Sequence, residues 1–161
     1  MKTGFIALIL LPLAGCVVYI PPPGEATPAS VTRTLVLPTT DFGKTYNAFR
    51  TSQGLGPLQD NAILTRAALA HALDMENRGY FSHSSVGGPN GRDLEARANA
   101  AGCNIRAGAE NIAQGQKSEQ EVFADWRDSP GHRVNLLGPR YTDYGLGRAG
   151  DTWVMKLSSG C

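Results

Sequence analysis

The chain has 161 residues, 42% of them hydrophobic and 18% charged, with 15 Lys and Arg set against 14 Asp and Glu. That length suits one domain with a buried core, and the apolar content is too high for a disordered chain. The near-zero net charge excludes a basic nucleic-acid binder, no apolar run reaches the ~18 residues of a membrane helix, and three cysteines are too few for a disulfide-scaffold miniprotein.

Residues 1–15 open with Lys2 and an apolar run from Gly4 to Leu11, the pattern of an export signal. The run closes on Leu13-Ala14-Gly15-Cys16. This resembles the bacterial lipobox, in which the Cys thiol takes a diacylglycerol and becomes the new N-terminus; an ordinary secretory signal with an accidental Cys is the alternative. Lipidation of Cys16, with palmitate-type acyl chains, makes the membrane a partner, since several buried chains hold a protein where one holds it only reversibly. Val17, where an Asp would mark inner-membrane retention, favours the outer membrane in a cell with two. Residues 16–40 carry Pro21, Pro22, Pro23, Pro28 and Pro38 and read as an extended tether. Within it, Val31 to Leu37 can form an edge strand.

From Asp41 the pattern turns helical. Asp41 is placed to cap a helix with Phe42, Tyr46 and Phe49 at helical spacing, ending near Gly54. Asp60 is placed to cap a longer one, with Leu64, Ala67, Ala68, His71 and Met75 on one stripe and Gly79 as its stop. Arg92 to Ala101 predicts a third, closed by Gly102. Ser118 and Glu121 form a capping-box pair for a fourth, with Val122 and Trp126 one turn apart and Pro130 ending it. Tyr141 to Arg148 and Thr152 to Ser158, joined by Ala149-Gly150-Asp151, predict a β-hairpin. The expectation is an α+β domain over residues 41–161, with helices packed on a small antiparallel sheet.

Cys103 and Cys161 remain in that domain, and an exported compartment permits a bond between them; two free thiols are the alternative. Closing a loop of about 58 residues restricts the unfolded chain by about 4 kcal/mol in the chain-entropy account. No HExxH, GxSxG, P-loop or dinucleotide fingerprint is present. Of three histidines, His71 lies on the apolar stripe and reads as a core residue. His83, in Phe81-Ser82-His83-Ser84-Ser85, and His132, in Ser129-Pro130-Gly131-His132-Arg133, sit at breaks between elements. There a neutral imidazole can bind a divalent metal, move a proton, or serve only as a surface or capping group.

The run from Asn61-Ala62-Ile63-Leu64 through His71 and Met75 to Gly79-Tyr80-Phe81-Ser82-His83 resembles the bacterial branch of the CAP superfamily, the SCP domain. Further matches follow in order: Asn47 and Arg50 with Gly54-Leu55 and Pro57-Leu58, Ala109-Glu110-Asn111-Ile112-Ala113, Ser129 to Leu137, and Tyr144-Gly145-Leu146-Gly147 before Trp153-Val154. The resemblance covers about Asp41 to Cys161 and implies an α-β-α sandwich. It also implies an open cavity with two His and two acids, holding zinc or another divalent metal in some members. By motif His83, Glu110 and His132 are the cavity residues. Two departures stand out: Ala109 replaces the usual Gly before Glu110, and Ser129 occupies the place of the second acid. Asp125 and Asp128 lie nearby, but Asp128 points away from the Val122/Trp126 face.

The family implies no single reaction. The reading that follows is an extracytoplasmic, lipid-anchored, non-enzymatic binding module of the bacterial cell envelope. Its His83/Glu110/His132 cleft would take a small ligand, a metal, a lipid or an envelope protein. The alternatives are a zinc-dependent hydrolase, with metal-bound water as nucleophile and Glu110 as general base, and a structural envelope protein.

Overall fold

The computed structural model describes residues 35–36 and 40–161; the expected export signal, Cys16 and most of the tether lie outside the described residues. Among the described residues the elements run β1 (Leu35–Val36), α1 (Thr40–Ser52), β2 (Gln59–Asp60), α2 (Ala62–Arg78), α3 (Leu94–Ala100), β3 (Ala107–Gln114), α4 (Glu119–Asp128), α5 (Pro130–Leu136), β4 (Asp143–Ala149) and β5 (Thr152–Ser159). The sheet has the order β1-β4-β5-β3, with β2 pairing in parallel to β4 and the other pairs antiparallel. This is the α+β sandwich expected from the sequence. The fold reaches back to Leu35, whose strand pairs with Ala149 and Arg148 at one edge, within the segment where an edge strand was allowed for.

Side chains alternate across the sheet, and the two faces take different helices. One face sends Tyr144, Leu146, Trp153, Met155 and Leu157 into a core with Phe42 and Tyr46 of α1, Val122, Phe123 and Trp126 of α4, and Leu136 of α5. Its aromatic rings pack edge to face, Phe42 on Phe123 at 5.9 Å and Tyr46 on Tyr144 at 5.6 Å. The opposite face sends Ile112, Ala149 and Val154 against Ala68, Ala72 and Met75 of α2. Gly145 and Gly147 explain the Tyr-Gly-Leu-Gly pattern: a Cβ on either would lie 2.2–2.3 Å from the α2 backbone at Thr65 and Leu69. The missing side chains let α2 lie directly on β4.

Several expected termini are shifted, each for a local reason. Asp41 lies inside the first turn of α1 rather than before it, where its charge still favours the helix N-terminus. Asn61, not Asp60, caps α2: its Oδ1 accepts from the amides of Ile63 and Leu64, while Asp60 is held in β2 opposite Tyr144. Gly79 ends α2 in the left-handed conformation, as expected. Ser118 caps α4, but the returning Glu121 carboxylate reaches the amide of Lys117 instead of Ser118. Asn47 and Arg50 act as clamps. Asn47 exchanges two hydrogen bonds with Leu58, and the buried Arg50 donates to the carbonyls of Gly56, Leu136 and Gly138.

Candidate functional site

Glu110 sits on β3, the edge strand of the sheet, on the face that α2 covers. Its side chain is buried, and α2, α3, β5 and the segment between α2 and α3 all contribute to its surroundings. The segment after Gly79 is pinned back on α2 by Asp74, which accepts hydrogen bonds from Tyr80, Ser85 and Arg78. Arg78 also holds the Val86 carbonyl. Pinned in this way, the segment presents His83, whose Nδ1 donates to Glu110 Oε1 at 2.9 Å while 58% of its side chain stays exposed. The other ring edge therefore faces outward.

Arg97 of α3 is buried and donates from Nη2 to both oxygens of Glu110 at 3.0 Å and to the His83 carbonyl at 2.9 Å. Lys156, directly opposite Glu110 in the β3–β5 register, donates to Oε2. A carboxylate offers about four acceptor positions, and four donor contacts reach this one. Beneath it lies His71, fully buried as the helical stripe predicted. Its Nε2 donates to the Ser82 carbonyl at 3.1 Å and lies 3.7 Å from Glu110, while its Nδ1 has no partner.

These surroundings set the charges. Burial pushes the Glu110 carboxyl up, but the His83 hydrogen bond and the Lys156 and Arg97 charges outweigh it and hold the group well below the usual carboxylate range. Burial lowers Lys156 to about 8 and His71 to about 4. Glu110 is thus a stable anion and a weak base.

His132 does not lie at a break. Pro130 occupies the first turn of α5, a helix the sequence reading did not foresee, and Ser129 is both the end of α4 and the cap position of α5. His132 is held through its backbone: Asn111 on β3 donates to its carbonyl at 3.2 Å and accepts from Asn135 at 2.8 Å. Burial, and to a lesser degree the charge of His83, lower the His132 pKa. Asp125 bonds Gln116 and Asp128 pairs with Arg127; both interactions are exposed, so neither aspartate supplies the missing second acid.

Of the three expected residues, His83 and Glu110 are in direct contact, while His132 is tied to β3 through its backbone, at Asn111 beside Glu110. Arg97, Lys156 and His71 lie against Glu110 as well. These residues do not fit a divalent metal: Glu110 already accepts from His83, Arg97 and Lys156 and has two cations beside it. Among the described residues no three His, Cys, Asp or Glu side chains are arranged to hold one. Cys103 and Cys161 are joined in a disulfide.

A model of the cysteine-rich secretory protein family, CAP, matches residues 44–156. The uncharacterized protein YkwD of Bacillus subtilis is 38% identical over 113 residues, covering 69% of this chain and 43% of YkwD. The uncharacterized membrane protein YlbC of the same organism is 31% identical over 101 residues, covering 63% of this chain and 28% of YlbC. The chain thus spans less than half the length of either relative. An extracellular SCP-domain protein from Bacillus anthracis superposes with a TM-score of 0.68 at 25% identity, over 73% of this chain and 39% of that one. An outer surface protein from Borrelia burgdorferi has the same fold, with a TM-score of 0.68 at 17% identity over 80% and 99% of the two chains.

Proposed function

Because the chain belongs to the cysteine-rich secretory protein family, we propose that it is an extracytoplasmic, lipid-anchored binding module that receives a small ligand or partner between His83 and His132. One observation carries this reading. The three large apolar side chains exposed among the described residues, Phe81, Val86 and Val134, all belong to the two segments that carry the histidines. Scattered apolar exposure needs no explanation, but exposure confined to the two segments that carry the histidines is the composition of a recognition surface. The hydrolase alternative requires Glu110 as ligand or base, and its oxygens are already committed.

Export and anchoring rest on Leu13-Ala14-Gly15-Cys16 and on a disulfide that an oxidising compartment maintains. Relatives described as extracellular, outer-surface and membrane proteins agree with this reading. In Triton X-114 partition the wild-type chain enters the detergent phase and Cys16→Ser stays unprocessed or aqueous; equal partition removes the anchor. For the cleft, wild-type protein and a His83→Ala/His132→Ala double variant are incubated with a small-molecule extract of the cell envelope, and the retained molecules are identified by mass spectrometry. A set retained by the wild type alone supports the reading. Identical sets, from two folded proteins, leave the cleft a structural feature.

A further inference from the structure

The C-terminal end of α2 forms one wall of a cavity of about 340 Å³, lined by Met75, Glu76, Gly79, Tyr80, Phe81 and Gln114. None of Glu110, His83, Arg97 or Lys156 lines it, and Glu76 is its one charged residue. An acid in the last turn of a helix works against the helix dipole, which favours a cation there. The carboxylate is nevertheless held in place by both neighbouring strands. The buried Thr152 hydroxyl of β5 donates to Glu76 Oε1 at 2.7 Å and accepts from the Gln114 amide of β3 at 3.2 Å. Glu76 also packs against Gly150 in the β4–β5 turn, where a Cβ would meet its carboxylate at 2.9 Å. The nearby arginines are engaged elsewhere. Arg78 pairs with Asp74 and holds the Val86 carbonyl, while Arg148 holds the carbonyls of Gly150 and Lys117 and lies over the Trp153 ring. Among the described residues no Lys, Arg or His forms an ion pair with Glu76.

We infer that this cavity binds an ammonium carried on a short apolar stem, as in a lysine side chain or a free alkylamine. The Glu76 carboxylate and the α2 terminus both favour a positive charge. Phe81 lines the cavity with 46% of its surface exposed, and an exposed ring offers its face to a cation. Tyr80 beside it already carries the Arg78 guanidinium over its own ring at 5.3 Å. Met75, Tyr80 and Phe81 supply apolar wall for the methylenes of the stem. An anion would meet the Glu76 charge with no cation on the wall to offset it, and a neutral alcohol would gain nothing from that charge. The site is separate from the His83/His132 reading and stands or falls without it.

The test follows the methionine methyl groups of the full chain by NMR. Met75 lines the cavity, whereas Met155 packs in the core on the far face of the sheet and serves as an internal control. The probes are n-butylamine, Nα-acetyl-lysine amide, n-butanol and butyrate, titrated at neutral pH and equal ionic strength. At least one of the two amines should shift Met75 saturably and leave Met155 in place, about tenfold more tightly than n-butanol, with butyrate giving no saturable shift. Tighter binding of the lysine derivative assigns the ammonium to a peptide lysine, and tighter binding of n-butylamine to a free amine. Glu76→Gln keeps an oxygen for the Thr152 hydroxyl and should weaken the amine about fivefold. Phe81→Ala, at an exposed position, should weaken it about threefold. The His83→Ala/His132→Ala double variant should bind the amine as wild type does.

A Met75 methyl that neither amine shifts overturns the proposal. So does n-butanol or butyrate binding as tightly as the amines, a result read on wild type alone and therefore independent of whether Glu76→Gln folds. Amine binding unchanged in a folded Glu76→Gln has the same consequence. If the amine signal is lost in the histidine double variant while Glu76→Gln retains it, the ammonium belongs to the histidine segments, and this cavity is not its site. Retention of envelope molecules that depends on His83 and His132, with no amine response at Met75, sinks this inference and leaves the histidine reading standing.

Discussion

Glu110 is where the chain concentrates its buried charge, and its removal and its titration have separate signatures. Glu110→Gln leaves Arg97 and Lys156 buried side by side with no counter-charge. Breaking a buried ionic group from one side costs about 3–5 kcal/mol, so denaturant unfolding at neutral pH should show a loss of that size; a loss below about 1 kcal/mol, the scale of an exposed pair, would mean that water reaches the cluster. The pH dependence follows from two depressed groups. His71 releases its proton near 4 in the folded chain and near 6.5 in the unfolded one. The unfolded state therefore holds more protons between those values, and stability falls as pH drops through that window. Glu110 is stabilising above its ordinary value of 4.5, and this contribution is lost as pH falls through its lower folded value. In His71→Gln, whose amide can still donate to the Ser82 carbonyl, the decline between pH 6.5 and 4 should flatten while the one below 4.5 persists. An acid limb of unchanged slope removes His71 from the account.

At the level of elements, the contact between α2 and β4 depends on two absent side chains. In Gly145→Ala or Gly147→Ala the new methyl would overlap the α2 backbone at 2.2–2.3 Å, and backbone has no rotamer by which to yield. Each substitution should cost about 3 kcal/mol or more, at or beyond the upper range of overpacking, read as a lowered unfolding midpoint. Gly131→Ala in α5 is the control, since its methyl meets nothing within 4 Å and alanine favours a helix; its midpoint should hold or rise. Equal losses at all three positions would show that glycine flexibility, not close approach, is what matters. The sequence made α2 and the β4–β5 hairpin legible through strong periodicity and turn residues. It did not reveal β3, because Ala107-Gly108-Ala109-Glu110 has neither alternation nor β-branched residues. Eight paired residues of β5 make it a strand. It also concealed α5, since Pro130 reads equally as the end of one helix and the start of the next. The candidate site was legible only where motif carried it. Lys156 looks like a solvent-facing polar position in a strand, and only the β3–β5 register sets it against Glu110.

Across the whole molecule, the disulfide and the site share a support. β5 lies inside the sheet between β4 and β3, and its far end leads through Gly160 to Cys161, bonded to Cys103 just beyond α3. That bond fixes α3 against the Ala107–Ser159 end of the β3–β5 pair, where Arg106 also donates to the Ser159 carbonyl. The same short helix carries Arg97, which holds both Glu110 and the His83 carbonyl. Opening the bond should therefore loosen the site as well as destabilise the fold. A Cys103→Ser/Cys161→Ser double variant should lose about 4 kcal/mol, the entropy of closing a loop of this length, and about 10 °C in unfolding midpoint. Hydrogen exchange separates the two effects. Protection should fall first at the Ala107 and Ser159 end of the pair and at His83, while the Gln114–Thr152 end, held by the Trp153 bond to the Gln116 carbonyl, keeps its own. A uniform loss along β3 would mean that the bond acts only on the unfolded chain, with no special hold on the arginine that orders the cleft.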